Sequence, residues 1–214
     1  MEKVADIFEE VANSPSATFK ALLQKLRKTL QNEADKESLL TAIWRGVLDQ
    51  CILCPKKERT VDKIVQFLTN FIVSSVSSGE ADDTVVVSGI SHLLQRSRAL
   101  DKNVRLRACQ ILGGILPKIE ELTEDLTKNM TDVLMPRLRD KAPAVRVAAV
   151  KVIEFLQVPQ DSADQATLGL QRLLTEDSSK EVRVAAAESI CLTTTTLPLL
   201  IARVKDIKPE VRPL

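Results

Sequence analysis

The stretch that decides the fold is DKAPAVRVAAVKVIEFL at 140–156, because its segment VRVAA at 145–149 occurs again at 182–186. The two copies begin 37 residues apart. An earlier Val-Arg pair, Val104-Arg105, begins 41 residues before the first copy, and a fourth pair lies at Val211-Arg212. A period near 40 residues with two helices per unit is typical of a helical solenoid.

Apolar residues recur at intervals of three and four through most of the chain, which predicts roughly twelve helices joined by short polar turns. The run VVVS at 85–88 has strand propensity, but Ile90 and Leu93 return to helical spacing, so we predict a helix there as well. Alanines within the repeats, such as Ala148 and Ala185, allow neighbouring helices to approach closely. Since one helix pair cannot bury both of its faces, the units must stack. We therefore expect an all-α solenoid of about five to six helical hairpins.

Composition supports this fold class and excludes others. Hydrophobic residues make up 44% and charged residues 28%, which is typical of a folded chain. Aromatic residues reach only 3%, with no tyrosine and six glycines, which disfavours a sandwich or barrel. The polar N-terminus does not resemble a secretory signal, and no apolar run is long enough for a membrane span. We expect an intracellular, reducing compartment and four free cysteines.

Proline and the turn residues add detail to the repeat. Pro136 lies late in the helix that precedes the first VRVAA copy, where it removes a backbone hydrogen bond and predicts a bend. An Asp stands five residues before the Val of three Val-Arg pairs, at Asp140, Asp177 and Asp206. The first pair departs, because its Asp101 lies only three residues before Val104.

A bent first helix, an Asp in the turn and a Val-Arg pair that opens the second helix resemble HEAT repeats. Three segments together resemble the N-terminal HEAT array of the condensin subunit 3 (CAP-G) family. They are NVRLRACQILGGIL, MPRLRDKAPAVRVAAVKVIEFLQ and LTEDSSKEVRVAAAESICLTTTTLPLLIARVKDIKPEVR. The resemblance implies one HEAT array over 1–214, more divergent in 1–100 and clear in 101–212. The chain stops at PEVRPL, where a helix should begin, so we expect either a fragment or a truncated relative.

The resemblance also implies a function. Members of this family are non-catalytic subunits that bind double-stranded DNA in a basic groove, together with a kleisin subunit, in mitotic chromosome condensation. The ATPase activity of their complex belongs to the SMC subunits, which would be indirect partners here. The expected localisation is the nucleus and chromosome with a cytoplasmic pool, and neither a cofactor nor a membrane is expected.

DNA binding cannot depend on bulk charge, because the net charge is only +1; it requires local asymmetry. Two clusters, at 96–107 and 137–151, each sum to +4 and occupy the turn between paired helices, so stacking would place them along one edge. A third cluster, 56–63, sums to +2 and matches a basic turn of the family. The candidate DNA contacts are Lys56, Lys57, Arg59, Lys63, Arg96, Arg98, Lys102, Arg105, Arg107, Arg137, Arg139 and Lys141.

Alternatives to DNA contact remain open for these residues. The basic side chains could solvate the turns and pair with Asp140 or Asp177. Arg146 and Arg183 occupy a position that often forms an Asp–Arg ladder between units, which is a structural role. The chain could also be a protein-only scaffold that binds an acidic or kleisin-like peptide.

The remaining reactive residues predict no enzyme and no metal site. Cys51 and Cys54 form a C-x-x-C pair at the end of a helix, where the dipole disfavours a thiolate, so core packing is expected. His92 is the only histidine and has no second ligand or nucleophile beside it in the sequence. Gly113-Gly114 lacks the Lys-Ser/Thr of a phosphate-binding loop.

Overall fold

The computed structural model describes residues 2–54, 58–76, 83–119, 121–161 and 163–203. Within them every regular element is helical, which confirms the all-α prediction. The chain divides into two compact units, 1–93 and 94–214. Lys56, Lys57, Asp206 and the Val211-Arg212 pair lie outside the described residues, and the single array over 1–214 stays a prediction.

Within its described residues, the first unit contains five α-helices and most of a sixth. One continuous helical stretch in it, 36–53, contains a wider π-helical turn at Trp44–Leu48 between two α-helical parts. The run VVVS lies in α6, which confirms the helix predicted there. The α-helices are α1 (Glu2–Asn13), α2 (Phe19–Gln31), α3 (Lys36–Ile43), α4 (Asp49–Leu53), α5 (Arg59–Val76) and α6 (Asp83–Arg96).

Aromatic side chains form the centre of the first unit. The Phe67 ring contacts Phe8 and Phe19 edge to face, with ring centroids 5.7 and 5.4 Å apart. Trp44 is buried beside Phe71, and its indole N–H donates to the Ser88 hydroxyl at 2.8 Å. Large buried rings remove much apolar surface from water, so they contribute strongly to stability.

Among its described residues, the second unit contains one helix, then two helical hairpins and a short last helix. Short 3₁₀ turns extend several of its helices, at 116–118, 135–139 and 154–156. The first of these helices, the seventh of the chain, contains the Val104-Arg105 pair with which the sequence repeat begins. The helices are α7 (Lys102–Ile115), α8 (Glu124–Leu134), α9 (Pro143–Ile153), α10 (Gln165–Glu176), α11 (Lys180–Ser189) and α12 (Leu197–Arg203).

The helices that carry the sequence repeat pack against one another in order. Helix α7 packs on α9, and α9 packs on α11, while α10 pairs with α11 inside its own hairpin. Ala108, Ala149 and Ala186 are fully buried along these helices, so their small side chains permit the close approach. The VRVAA repeat is therefore the sequence of a stacked helix layer, as the period predicts.

Pro136 has the effect that the sequence predicts. Helix α8 ends at Leu134, and the chain continues as a 3₁₀ turn from Met135 to Arg139 with the proline at its start. This tighter turn directs the chain into Asp140 and the short connection to α9. The bend thus sets the position of the basic residues that follow it.

Candidate nucleic-acid interface

Three short turns precede the repeated helices α7, α9 and α11, and an Asp fixes the backbone of each. Asp101 accepts from the Asn103 N–H at 2.7 Å. Asp140 accepts from the Ala142 N–H at 3.0 Å, and Asp177 accepts from the Ser179 N–H at 2.9 Å. These bonds satisfy backbone donors that the start of a helix leaves unpaired.

Arg105 joins the first turn to the second. Its Nε and Nη2 donate to the two carboxylate oxygens of Asp140 at 2.7 and 2.9 Å. Its Nη1 donates to the carbonyls of Ala99 and Leu100 in its own turn, at 2.9 and 2.7 Å. A planar guanidinium with five donors suits this geometry, in which one side chain binds two consecutive turns.

Arg146 repeats the arrangement between the second and third turns. Its Nε and Nη2 each lie 2.7 Å from an oxygen of Asp177, and its Nη1 donates to the Asp140 carbonyl at 2.8 Å. Arg183 likewise donates to the Asp177 carbonyl of its own turn, at 2.8 Å. The ladder predicted for Arg146 is confirmed, and it places the three turns side by side along one edge of the second unit.

Arg105 and Asp140 form the first rung of the ladder, and each affects the pKa of the other. Asp140 is buried, with 3% of its side chain exposed, and burial alone would raise its pKa. The hydrogen bonds from Arg105 and Ala142 and the charges of Arg105 and Arg137 outweigh burial, so the pKa of Asp140 lies below its ordinary value. The same hydrogen bond to Asp140 raises the pKa of Arg105. Both groups are therefore ionised at neutral pH.

Four basic side chains project from the first two turns. Arg98, Lys102, Arg139 and Lys141 are all exposed. Within the described part of the chain, none of them makes an ion pair or a side-chain hydrogen bond. Their charges are therefore available to an external anion, and we call these four residues the edge cations.

Arg105 and Arg137 differ from the edge cations, although the sequence places them in the same clusters. The Arg105 guanidinium is occupied by Asp140 and two carbonyls, and its side chain is only 13% exposed. Arg137 is half-buried, with Nη1 3.3 Å from Asp140. Arg96 and Arg107 are also half-buried. The structure brings the two turns together, as the sequence predicts. The side chains of these four arginines, however, are less exposed to solvent than those of the edge cations.

The third basic cluster lies in the first unit. Arg59 is exposed at the start of α5. Lys63 donates to the carbonyls of Ala12 and Ser14, at 3.4 and 3.1 Å, and so satisfies the end of α1. Lys56 and Lys57 lie outside the described residues, so their contribution stays a prediction.

Arg172 is a basic residue near the edge that sequence reasoning misses. Together with Arg139 and Arg146 it lines an open cleft of about 420 Å³ above the Asp177 turn. Arg172 stands alone in the sequence of α10, without basic neighbours, so no local charge pattern indicates it. Only the stacking of α10 beside the Met135–Arg139 turn places it there.

The other reactive residues have structural partners. His92 Nε2 lies 2.8 Å from Asp49 Oδ1 between α6 and α4. Cys51 is buried, in keeping with core packing, and burial raises the pKa of the Cys109 thiol to about 12. Among the described residues, no cluster of His, Cys, Asp or Glu could hold a metal, and none of the helices could span a membrane.

Comparison with known proteins agrees with this architecture. Residues 90–191 match the family model of HEAT repeats. Condensin complex subunit 3 of Homo sapiens is 28% identical over 95% of this chain and 21% of its own length. The Xenopus laevis protein of the same name is 30% identical over 88% of this chain and 20% of its own length. The chain thus spans about a fifth of the length of these curated relatives.

A solved structure is similar over the same extent. The crystal structure of the S. pombe condensin Cnd3-Cnd2 subcomplex contains a chain that matches 95% of this one, with 27% identity and a TM-score of 0.74. Stacked hairpins, the arginine ladder and the match over 90–191 define a HEAT-repeat fold. In particular, the chain is similar to condensin complex subunit 3, which confirms the resemblance inferred from the sequence.

Proposed function

We propose that this chain is a non-catalytic HEAT-repeat segment that binds the phosphate backbone of double-stranded DNA in a condensin-type complex. The observation that carries the proposal is the position of the edge cations, Arg98, Lys102, Arg139 and Lys141. They project from two turns that Arg105 and Asp140 hold together. Phosphate contacts of this kind supply most of the affinity of non-specific DNA binding.

The ladder makes the edge suitable for a regular polyanion. Because the buried Asp140 carboxylate is already paired with Arg105 and Arg137, it competes little with a phosphate for the edge cations. A rigid edge also loses little side-chain and backbone freedom on binding, compared with a basic tail. Nothing on the edge provides a recognition helix or an aromatic platform, so we expect binding that does not depend on base sequence.

A kleisin subunit is the second proposed partner, and SMC ATPase subunits are indirect ones. Support comes from the similarity to one chain of a two-subunit condensin subcomplex. With such partners the chain would act on chromosomes in the nucleus during mitotic condensation. The proposed role needs no catalysis, because the chain supplies a binding surface.

Duplex binding measured at several salt concentrations tests the proposal. Four phosphate contacts predict a slope of log affinity against log salt of about −3.6, since each contact adds about −0.9. Changing Arg98, Lys102, Arg139 and Lys141 to Gln should remove most of this slope and weaken binding to every duplex sequence equally. A separate variant, with Lys56, Lys57 and Arg59 changed to Glu, tests the cluster in the first unit.

The matched control changes Lys20, Lys28, Lys118 and Lys128 to Gln, which removes four exposed charges elsewhere. Its slope should stay close to that of the unchanged protein. Equal losses in both variants would mean that binding follows net charge and not the edge. Capture of a kleisin peptide without any binding of DNA at low salt would favour the protein-only scaffold.

A further inference from the structure

Leu100 is the most exposed large apolar residue of the described chain, at 102% relative exposure. It stands at the tip of the first turn, between the edge cations Arg98 and Lys102. Single exposed leucines are common on protein surfaces and need no explanation by themselves. This one is unusual because of how it is held and where it lies.

The backbone around Leu100 is fixed from several sides. Its own carbonyl and that of Ala99 accept from Arg105 Nη1, at 2.7 and 2.9 Å. The Ala99 N–H donates to the Arg96 carbonyl, and the buried Ser97 hydroxyl donates to Leu94. These bonds hold the backbone of the turn in a position that leaves the Leu100 side chain in solvent.

Comparison of the repeats shows that the residue type is also unusual. The ladder bonds align the turns, because Arg105, Arg146 and Arg183 each donate to the carbonyl six residues before them. The position five residues before these arginines is then Leu100, Lys141 and Ser178 in the three turns. An apolar side chain therefore stands at the tip of the first basic turn, where the other two turns have a polar one.

We propose that Leu100 enters the minor groove of bound duplex DNA while Arg98 and Lys102 bind phosphates on either side. This rests on the function proposed above. The minor groove of B-DNA is about 6 Å wide and is walled by deoxyribose, which offers an apolar surface to a leucine. Proteins that bind this groove use Arg and Lys and frequently also insert apolar side chains, leucine among them. The contact reads groove shape, so it adds affinity without strict base specificity.

The test separates the apolar contact from the ionic ones. Leu100→Ser in the 214-residue chain should lower duplex affinity about fivefold to tenfold at every salt concentration, because apolar burial is lost. The slope against log salt should not change, since no phosphate contact is removed. Netropsin, which fills A·T minor grooves, should weaken binding of the unchanged protein and have little effect on the variant.

The matched control is Leu192→Ser, because Leu192 is 70% exposed but lies outside the basic turns. Its affinity should equal that of the unchanged protein, and both variants should keep the helical circular dichroism signal. Equal binding by Leu100→Ser and the unchanged protein would overturn this inference alone. Absence of duplex binding by the unchanged protein would overturn the proposed function with it. Loss of kleisin binding in Leu100→Ser, with DNA affinity unaltered, would assign the leucine to a protein partner and likewise overturn it.

Discussion

The two units of this chain achieve helical packing by different means. Five of the six aromatic residues lie in the first unit, where Phe8, Phe19, Phe67, Trp44 and Phe71 form its centre. The second unit has small apolar residues in its helix layer and buried ion pairs at its turns. The visible sequence repeat is confined to the second unit, because the ladder demands an Arg and an Asp at fixed places.

The difference teaches that a repeat in sequence reports the ladder rather than the helices. An apolar core tolerates many residue combinations of similar volume, so it leaves no strict motif. An Arg–Asp pair joined by two hydrogen bonds tolerates almost no substitution, because both its geometry and its charge must be kept. The helices of the first unit are therefore predictable from apolar spacing, whereas its repeat boundaries are not.

The largest expected effect is in the aromatic centre. Phe67→Ala should destabilise the first unit by about 4 kcal/mol, because it removes a fully buried ring that contacts Phe8 and Phe19. Trp44 is the only tryptophan and is buried in the same unit, so its fluorescence during urea unfolding measures the loss. Phe155→Ala, at a ring 45% exposed in the second unit, is the control and should cost about 1 kcal/mol or less when unfolding is followed by circular dichroism. Equal losses would refute the assignment of an aromatic core to the first unit.

The second prediction concerns the ladder. Asp140→Asn should destabilise the second unit by about 3 kcal/mol at pH 7, because it leaves the Arg105 guanidinium buried without a countercharge. The folded-state pKa of Asp140 is lowered, so its contribution is complete above the unfolded pKa of about 3.9 and is lost as pH falls through the folded value. Urea unfolding followed by circular dichroism should therefore show the difference at pH 7 and a smaller one in strong acid.

A surface pair serves as the control for the ladder. Glu10→Gln breaks the Lys25–Glu10 pair, whose side chains are about half exposed, and should change stability by about 0.5 kcal/mol or less. A difference between wild type and Asp140→Asn that persists unchanged into strong acid would show that the rung does not depend on the carboxylate charge.

The smallest effects compare two close-packed glycines. A Cβ at Gly89 would lie 2.8 Å from Ile72 Cδ1 and 3.3 Å from the Trp44 ring, which its hydrogen bond to Ser88 holds in place. Gly89→Ala should therefore cost about 2 kcal/mol. A Cβ at Gly169 would meet the ends of Leu138 and Met135, at 2.7 and 2.9 Å, and these flexible ends can shift. Gly169→Ala should therefore destabilise the protein by under about 1 kcal/mol, measured by thermal unfolding. A larger loss at Gly169 than at Gly89 would contradict the rigid packing of Trp44 against Gly89.

The limits of sequence reasoning are clearest at Arg105. Its own turn has Ala99 where the other turns have Asp140 and Asp177, so the repeat does not single out a partner for it. The sequence leaves it among the candidate DNA contacts, with pairing to Asp140 as one of the alternatives for the whole cluster. In the structure the partner comes from the following turn, 35 residues later. Each arginine of the ladder pairs with the Asp of the following turn, so its partner cannot be recognised from the sequence of its own repeat.

Sequence reasoning also cannot decide which side chains of a basic cluster are exposed to solvent. The sequence groups Arg98 with Arg96 and Arg107, but the helix turns place Arg98 outward and the other two partly inward. Charge counts along the chain predict where cations gather, and they do so correctly for the first two turns of the second unit. Which cations face solvent depends on the packing of neighbouring helices, and the same packing brings Arg172 to the edge.

The ladder also decides where this chain can change its length. Each rung needs an arginine six residues after a turn carbonyl and a carboxylate in the next turn, so one inserted residue would break bonds on both sides. The described residues of the connection at 157–164 form no such rung, so the connection could lengthen at little entropic cost. Insertions and deletions among relatives should accumulate in that connection, and the turns of the edge should keep their residue count.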